Sequence, residues 1–205
     1  MTALDLLLPS TCAGCGHRGT ACCATCLASF GPPEPIQVPG VGPPVWTLAP
    51  YQGAARELVL AFKERGARAL SAWFGALVAC ALVAVGPGPW TLVPAPSRRR
   101  AARERGGDHM LRIAEAVQTA SVAPVLRLRP GVVDSVGLTA GGRRRNLAGR
   151  VEVCGRPPPG TTVLLDDVIT TGATAAACVR ALRGAGVRTH AVVVLTSARP
   201  HQPGQ

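Results

Sequence analysis

Aromatic side chains are scarce, at 3 % of the 205 residues, with one tyrosine, three phenylalanines and three tryptophans. Few surfaces therefore exist for stacking unpaired bases, and the core has to be filled by alanine, valine and leucine, which suffices because 47 % of the chain is hydrophobic. Lysine is nearly absent. The single one, Lys63, lies in AFKERG, so the G-x-x-x-x-G-K-[ST] loop of the P-loop NTPases is excluded. A charge cluster open to solvent is the expectation for Lys63-Glu64-Arg65. Acids are also few, 11 against 22 basic residues, and the net charge of +11 favours phosphorylated or nucleic-acid partners.

The first twelve residues, MTALDLLLPSTC, carry no basic n-region and only a brief apolar run, so they do not read as a secretory signal, and a cytoplasmic location is expected. The uncharged stretch 69–85 is shorter than a membrane span and is expected to be buried against a sheet.

The most informative residues are 163–174, VLLDDVITTGAT. Val163, Leu164 and Leu165 make a β-prone apolar run, too short for a helix, and Asp166 and Asp167 are expected where that strand ends. The turn Thr170-Thr171-Gly172-Ala173-Thr174 leads into an alanine-rich helix over 175–185, with Gly186 as its cap. Free amides at such a helix start form an anion site. Gly172 permits close backbone approach, and the two carboxylates can accept hydrogen bonds from vicinal hydroxyls or help hold a divalent cation. A ribose 5-phosphate suits both ends.

Five of the eight cysteines fall between residues 12 and 26. Cys12 with Cys15, and Cys23 with Cys26, are spaced as two thiolate pairs for tetrahedral zinc. Cys22 and His17 are expected outside the ligand set. A module this small has no sufficient core of its own, so the metal is expected to be structural. Residues 31–45 hold six prolines and are expected as a linker or irregular cover.

Further along, 46–51 is a candidate strand, 54–65 a helix, TLVPAP a strand, 110–119 a helix, 125–130 a strand and HAVVVLTSA a buried strand. After TLVPAP come Arg98, Arg99, Arg100, Arg103 and Arg105, a basic loop at a strand's carboxyl end, where open α/β sheets place ligand contacts. The organisation expected is a zinc-knuckle module at 1–30, the linker at 31–45, an α/β domain at 46–198 and a frayed tail at 199–205.

The stretch 163–174 closely resembles the signature loop of the type I phosphoribosyltransferases. The cysteine knuckle, the P-x-x-R-x-x-R-x-R-G-like spacing of the arginines after TLVPAP and the run Leu138-Thr139-Ala140-Gly141-Gly142-Arg143-Arg144-Arg145-Asn146-Leu147 together resemble the ComF family of competence-associated proteins. The chain departs from that pattern at Gly107-Asp108-His109 and around Ser135 and Gly137. The resemblance implies a twisted, mostly parallel sheet flanked by helices, with Asp166 and Asp167 on the ribose hydroxyls of phosphoribosyl pyrophosphate. It further implies residues 170–174 on the 5-phosphate, Arg98, Arg99, Arg103 and Arg105 toward pyrophosphate, and Mg²⁺ assisting transfer of ribose 5-phosphate to a nitrogen nucleophile. The alternative it carries is a binding protein without turnover, sensing nucleotide or phosphoribosyl pyrophosphate or handling single-stranded DNA with the competence machinery.

Overall fold

The computed structural model describes residues 11–97, 107–129, 150–158 and 160–199. Five helices are described: α1 (Ala24–Leu27), α2 (Gly53–Glu64), α3 (Leu70–Val85), α4 (His109–Glu115) and α5 (Ala173–Gly184). The strands are β1 (Glu34–Ile36), β2 (Val45–Thr47), β3 (Trp90–Pro94), β4 (Ala120–Val122), β5 (Leu126–Leu128), β6 (Val151–Val153), β7 (Thr161–Ile169) and β8 (Thr189–Ser197). Six of them form one sheet in the order β1-β2-β8-β7-β3-β4, parallel except for β1, while β5 and β6 pair as a separate antiparallel ribbon. The chain is thus a mixed α/β protein with a mostly parallel sheet flanked by helices.

Both faces of the central strands are covered, which is why their sequences are continuous apolar runs instead of alternating ones. Neighbouring side chains on a strand still point to opposite faces. Val163 and Leu165 of β7, with Val193 and Leu195 of β8, enter a cluster shared with α2, α3 and α4. Leu164, Val192 and Val194 enter the other, beneath α5 and the β5–β6 ribbon. The uncharged stretch 69–85 forms α3, which presses Phe74 against Phe30 and Phe62 at centroid distances of 5.8 and 5.3 Å. A side chain at Gly75 would meet Ala116 Cβ at 2.7 Å, so the glycine lets α3 and the end of α4 touch. Among the described residues no helix is long and apolar enough to cross a membrane.

Three elements differ from expectation, two of them strands. β7 does not end at the acids but runs on to Ile169, because β8 supplies partners as far as Ser197, with Asp166 opposite Val194 and Ile169 opposite Ser197. Residues 31–45 are more than irregular cover: Glu34–Ile36 adds an edge strand, and Val38, Val41 and Val45 are buried. Pro35 is tolerated there because an edge strand needs ladder donors on one side only.

α5 starts at Ala173, earlier than expected, so the last two residues of the predicted turn are the helix's first. At its other end Gly186, at φ 78°, donates to Arg183 O at 3.0 Å and Val187 donates to Leu182 O at 2.9 Å. That pair of bonds is a Schellman cap, closed by the buried side chains of Leu182 and Val187.

Candidate functional site

The turn after β7 is built as a helix entrance. Gly172 sits in the left-handed region at φ 77° as the N-cap of α5, and Thr171 Oγ1 accepts from Ala173 N at 3.4 Å. The amides of the first helical turn have no intrahelical acceptor. The glycine has a second reason beyond those visible in sequence: a Cβ there would lie 2.5 Å from Val38 Cγ1 and 3.1 Å from Val41 Cγ2. The segment before β2 therefore rests directly on the turn. Thr170 is exposed, Thr171 and Thr174 half-buried, and Gly172 and Ala173 buried.

The two acids lie in different surroundings. Asp167 is 5 % exposed and makes an ion pair from Oδ2 to Lys63 Nζ at 2.7 Å. His109 Nε2 lies 2.8 Å from the same oxygen, and Oδ1 accepts from Val168 N at 2.7 Å. Against burial, which alone would raise it, Lys63 and His109 hold Asp167 well below the usual carboxylate range. Burial likewise works against the Lys63 charge, and Asp167 outweighs it, keeping the ammonium above its ordinary value. Lys63 is accordingly a half-exposed cation paired with a buried carboxylate and not the unpaired solvated charge expected from AFKERG.

Asp166 is half-buried, and its Oδ1 accepts from Asp167 N at 2.9 Å. Burial first and the charge of Asp167 second push its carboxyl up to about 7. Its field reaches Cys178 on α5, whose thiol is raised by burial and then by Asp166.

His109 is held from its other side by Ser97, whose Oγ lies 3.2 Å from Nδ1. Ser97 also binds Asp108 twice, through Oγ to Oδ1 at 3.1 Å and through its amide to Oδ2 at 3.3 Å. Asp108 in turn caps α4 by accepting from Met110 N at 2.9 Å. Neither Lys63 nor His109 was among the residues the sequence pointed to, since no spacing rule connects them with a strand so much further along the chain.

Arg98, Arg99, Arg103 and Arg105, like the run 138–147, lie outside the described residues. Two clefts open along the carboxyl edge of the sheet. One, of about 360 Å³, is lined by Pro94, Ser97, Asp108, Leu126 and Arg127 among others. The other, of about 630 Å³, is lined by Glu34, Thr47, Tyr51, Gln52, Ser197 and Arg199 among others. Arg199 Nη1 donates to Thr170 O at 3.5 Å, so the larger cleft borders the turn.

At the opposite end of the chain Cys12, Cys15, Cys23 and Cys26 converge, with their sulfurs all within 4.8 Å of one another. Cys15 Sγ and Cys23 Sγ are 3.7 Å apart. Four sulfurs at about 2.3 Å from a tetrahedral zinc would be about 3.8 Å apart, so the donor set fits that ion. A tight turn makes the first pair, Gly16 N donating to Cys12 O and Cys12 N to His17 O, both at 2.7 Å. The second pair brackets the start of α1, with Cys23 as its N-cap, and Cys23 N donates to Cys12 Sγ at 3.3 Å. Burial opposes the Cys12 thiolate, yet amide donors from Cys23, Gly14 and Cys15 bring it down to about 6. Cys22 lies outside the cluster and burial pushes its thiol up to about 11. His17 contributes only its carbonyl.

No protein-family model and no curated protein sequence matches the chain. Among solved structures it is similar to a hypoxanthine phosphoribosyltransferase from Staphylococcus aureus in two crystal forms. For the orthorhombic form the identity is 12 % over 65 % of this chain and 62 % of that one, with a TM-score of 0.36. For the tetragonal form it is 12 % over 68 % and 70 %, again with a TM-score of 0.36. The chain thus spans less than two thirds of the length of the first.

Proposed function

We propose that the turn 170–174 and Asp166 bind the ribose 5-phosphate part of phosphoribosyl pyrophosphate, and that the protein is a phosphoribosyltransferase of the type its signature stretch resembles, related to ComF. The supporting observation is the join of β7 to α5. A half-buried acid, with one oxygen that no donor among the described residues meets, stands in the strand, and a threonine-lined helix entrance follows it at the carboxyl edge of a parallel sheet. The phosphate would take the amides and hydroxyls of Thr170, Thr171, Gly172, Ala173 and Thr174. The ribose hydroxyls would donate to Asp166.

Mg²⁺ fits Asp166 better than Asp167. The oxygens of Asp167 already accept from Lys63, His109 and Val168, whereas Asp166 has no cation at ion-pair distance among the described residues. Magnesium would supply charge neutralisation for a departing pyrophosphate. Transfer to a nitrogen nucleophile builds positive charge on the sugar, which a carboxylate at the ribose stabilises most in the transition state. Arg98, Arg99, Arg103 and Arg105 are assigned to pyrophosphate from the resemblance. The 630 Å³ cleft beside Arg199 has the size of a small-molecule site and room for a nitrogenous acceptor. The four-cysteine cluster would hold a structural zinc, and the protein would work in the cytoplasm.

Pyrophosphate release from phosphoribosyl pyrophosphate and Mg²⁺, measured across a panel of bases and amines, tests transfer. Release with one acceptor class is expected. Saturable binding with no release for any acceptor would make the protein a sensor of the same ligand.

A further inference from the structure

Sequence alone treats Asp166 and Asp167 as a pair, but the structure separates them. Asp167 follows Val163 and Leu165 toward the face covered by α2, α3 and α4, where side-chain nitrogens from two different helices meet one of its oxygens. Lys63 lies in the last turn of α2 and reaches Oδ2 at 2.7 Å; His109 is the first residue of α4 and reaches it at 2.8 Å. With Val168 N on Oδ1, the carboxylate is enclosed at 5 % exposure and both lone pairs of Oδ2 are taken from within the chain. A ligand hydroxyl could take hold of Oδ2 only by displacing Lys63 or His109, leaving the buried carboxylate without a partner. Asp166 differs: its one donor among the described residues is Asp167 N, on Oδ1, and the side chain is partly open to solvent.

The arrangement continues behind His109. Ser97 Oγ lies 3.2 Å from Nδ1, and Ser97 is tied by two bonds to Asp108. The imidazole therefore has both nitrogens occupied and its ring orientation fixed. Ser97 follows β3, the neighbour of β7 in the sheet, so the chain of contacts bridges the carboxyl ends of two adjacent strands.

We propose that Lys63 and His109 are positioning residues for the ligand site, clamping Asp167 as a fixed brace for β7 so that Asp166 is the acid that meets the ribose. The proposal rests on the ribose-phosphate assignment above. Lys63 and His109 touch no ligand in this scheme. They act through Asp167, whose backbone amide in turn orients the Asp166 carboxylate.

The test titrates the full chain, with its metal, with phosphoribosyl pyrophosphate and Mg²⁺ by calorimetry. Lys63→Met and His109→Leu remove the donors to Asp167; Lys63→Arg and His109→Gln keep an N–H donor there. Loss of such an orienting contact typically weakens a site about 10- to 100-fold, so Kd is expected to rise by that factor in the Met and Leu variants and to recover most of the loss in the Arg and Gln variants. Recovery that follows the donor, at matched urea midpoints, is what a merely structural role would not give. Wild-type affinity in folded Lys63→Met and His109→Leu would overturn the proposal. If those two do not fold, the Arg and Gln variants decide, and affinity as poor as that of Asp166→Asn would overturn it. Wild-type binding that Asp166→Asn abolishes and the clamp variants leave intact would sink the clamp alone. No binding by the wild type would sink the ribose-phosphate assignment and the clamp with it.

Discussion

Replacing Asp166 by asparagine should stabilise the protein at alkaline pH, although the same residue is assigned to the ligand. Burial and the neighbouring Asp167 charge push the Asp166 carboxyl from an ordinary 3.8 up to about 7. A raised carboxyl means the folded chain holds a proton that the unfolded chain has released, so its stabilising contribution is full below about pH 4 and is lost as pH rises through 7. Each tenfold change in proton affinity corresponds to about 1.4 kcal/mol, which bounds the effect at about 4 kcal/mol. Partial exposure and solvent screening reduce this to about 1–2 kcal/mol. Asparagine removes the titration, keeps an oxygen for the Asp167 amide and cannot repel Asp167. Urea unfolding at pH 4.5, 6 and 8 should therefore show Asp166→Asn gaining on the wild type as pH rises, by about 1–2 kcal/mol at pH 8. Asp167→Asn should behave in the opposite sense. Its carboxyl is held low by Lys63 and His109, so its contribution is present at neutral pH and is lost only in strong acid. Removing it at pH 7 should cost about 1–3 kcal/mol, less than for a fully buried pair because Lys63 is half-exposed. Equal destabilisation by both substitutions, independent of pH, would refute the division of the two acids.

Three further outcomes are expected. Cys15→Ser with Cys26→Ser should abolish metal binding and lower the melting temperature, and elemental analysis of the wild type should give one zinc per chain; purified protein with neither zinc nor free thiols would refute the site. Gly172→Ala should destabilise by about 1–3 kcal/mol, from the positive φ and the approach of its Cβ to Val38. Adding Val38→Ala should recover the contact part and leave about 1 kcal/mol of backbone strain, as read from urea midpoints of the two variants.

Local features were legible in the sequence. The cysteine pairs converge because each is set by its own turn, Cys12 to His17 and the start of α1, and residue spacing encodes turns directly. The central strands were recognisable as apolar runs because both sheet faces are covered, and 69–85 as too short to span a membrane, although only one face of α3 is buried and Trp73 and Val83 are exposed. Strand ends were less so: nothing inside VLLDDVI says that β8 will carry the ladder to Ile169, since a strand's length depends on its neighbour. β1 was hidden by prolines that an edge position tolerates. Lys63 and His109 escaped for a related cause. Their roles arise where α2, α4 and β7 come together, and a lysine followed by Glu64 and Arg65 looks like an ordinary surface cluster until the fold brings Asp167 to its ammonium.

The most direct measurement is a calorimetric titration of phosphoribosyl pyrophosphate with Mg²⁺ into the wild type and Asp166→Asn. Saturable binding at one site, lost in the variant while its fold and zinc are retained, is the predicted result. Heat absent from the wild type, or unchanged in Asp166→Asn, would contradict a ribose phosphate seated between β7 and α5.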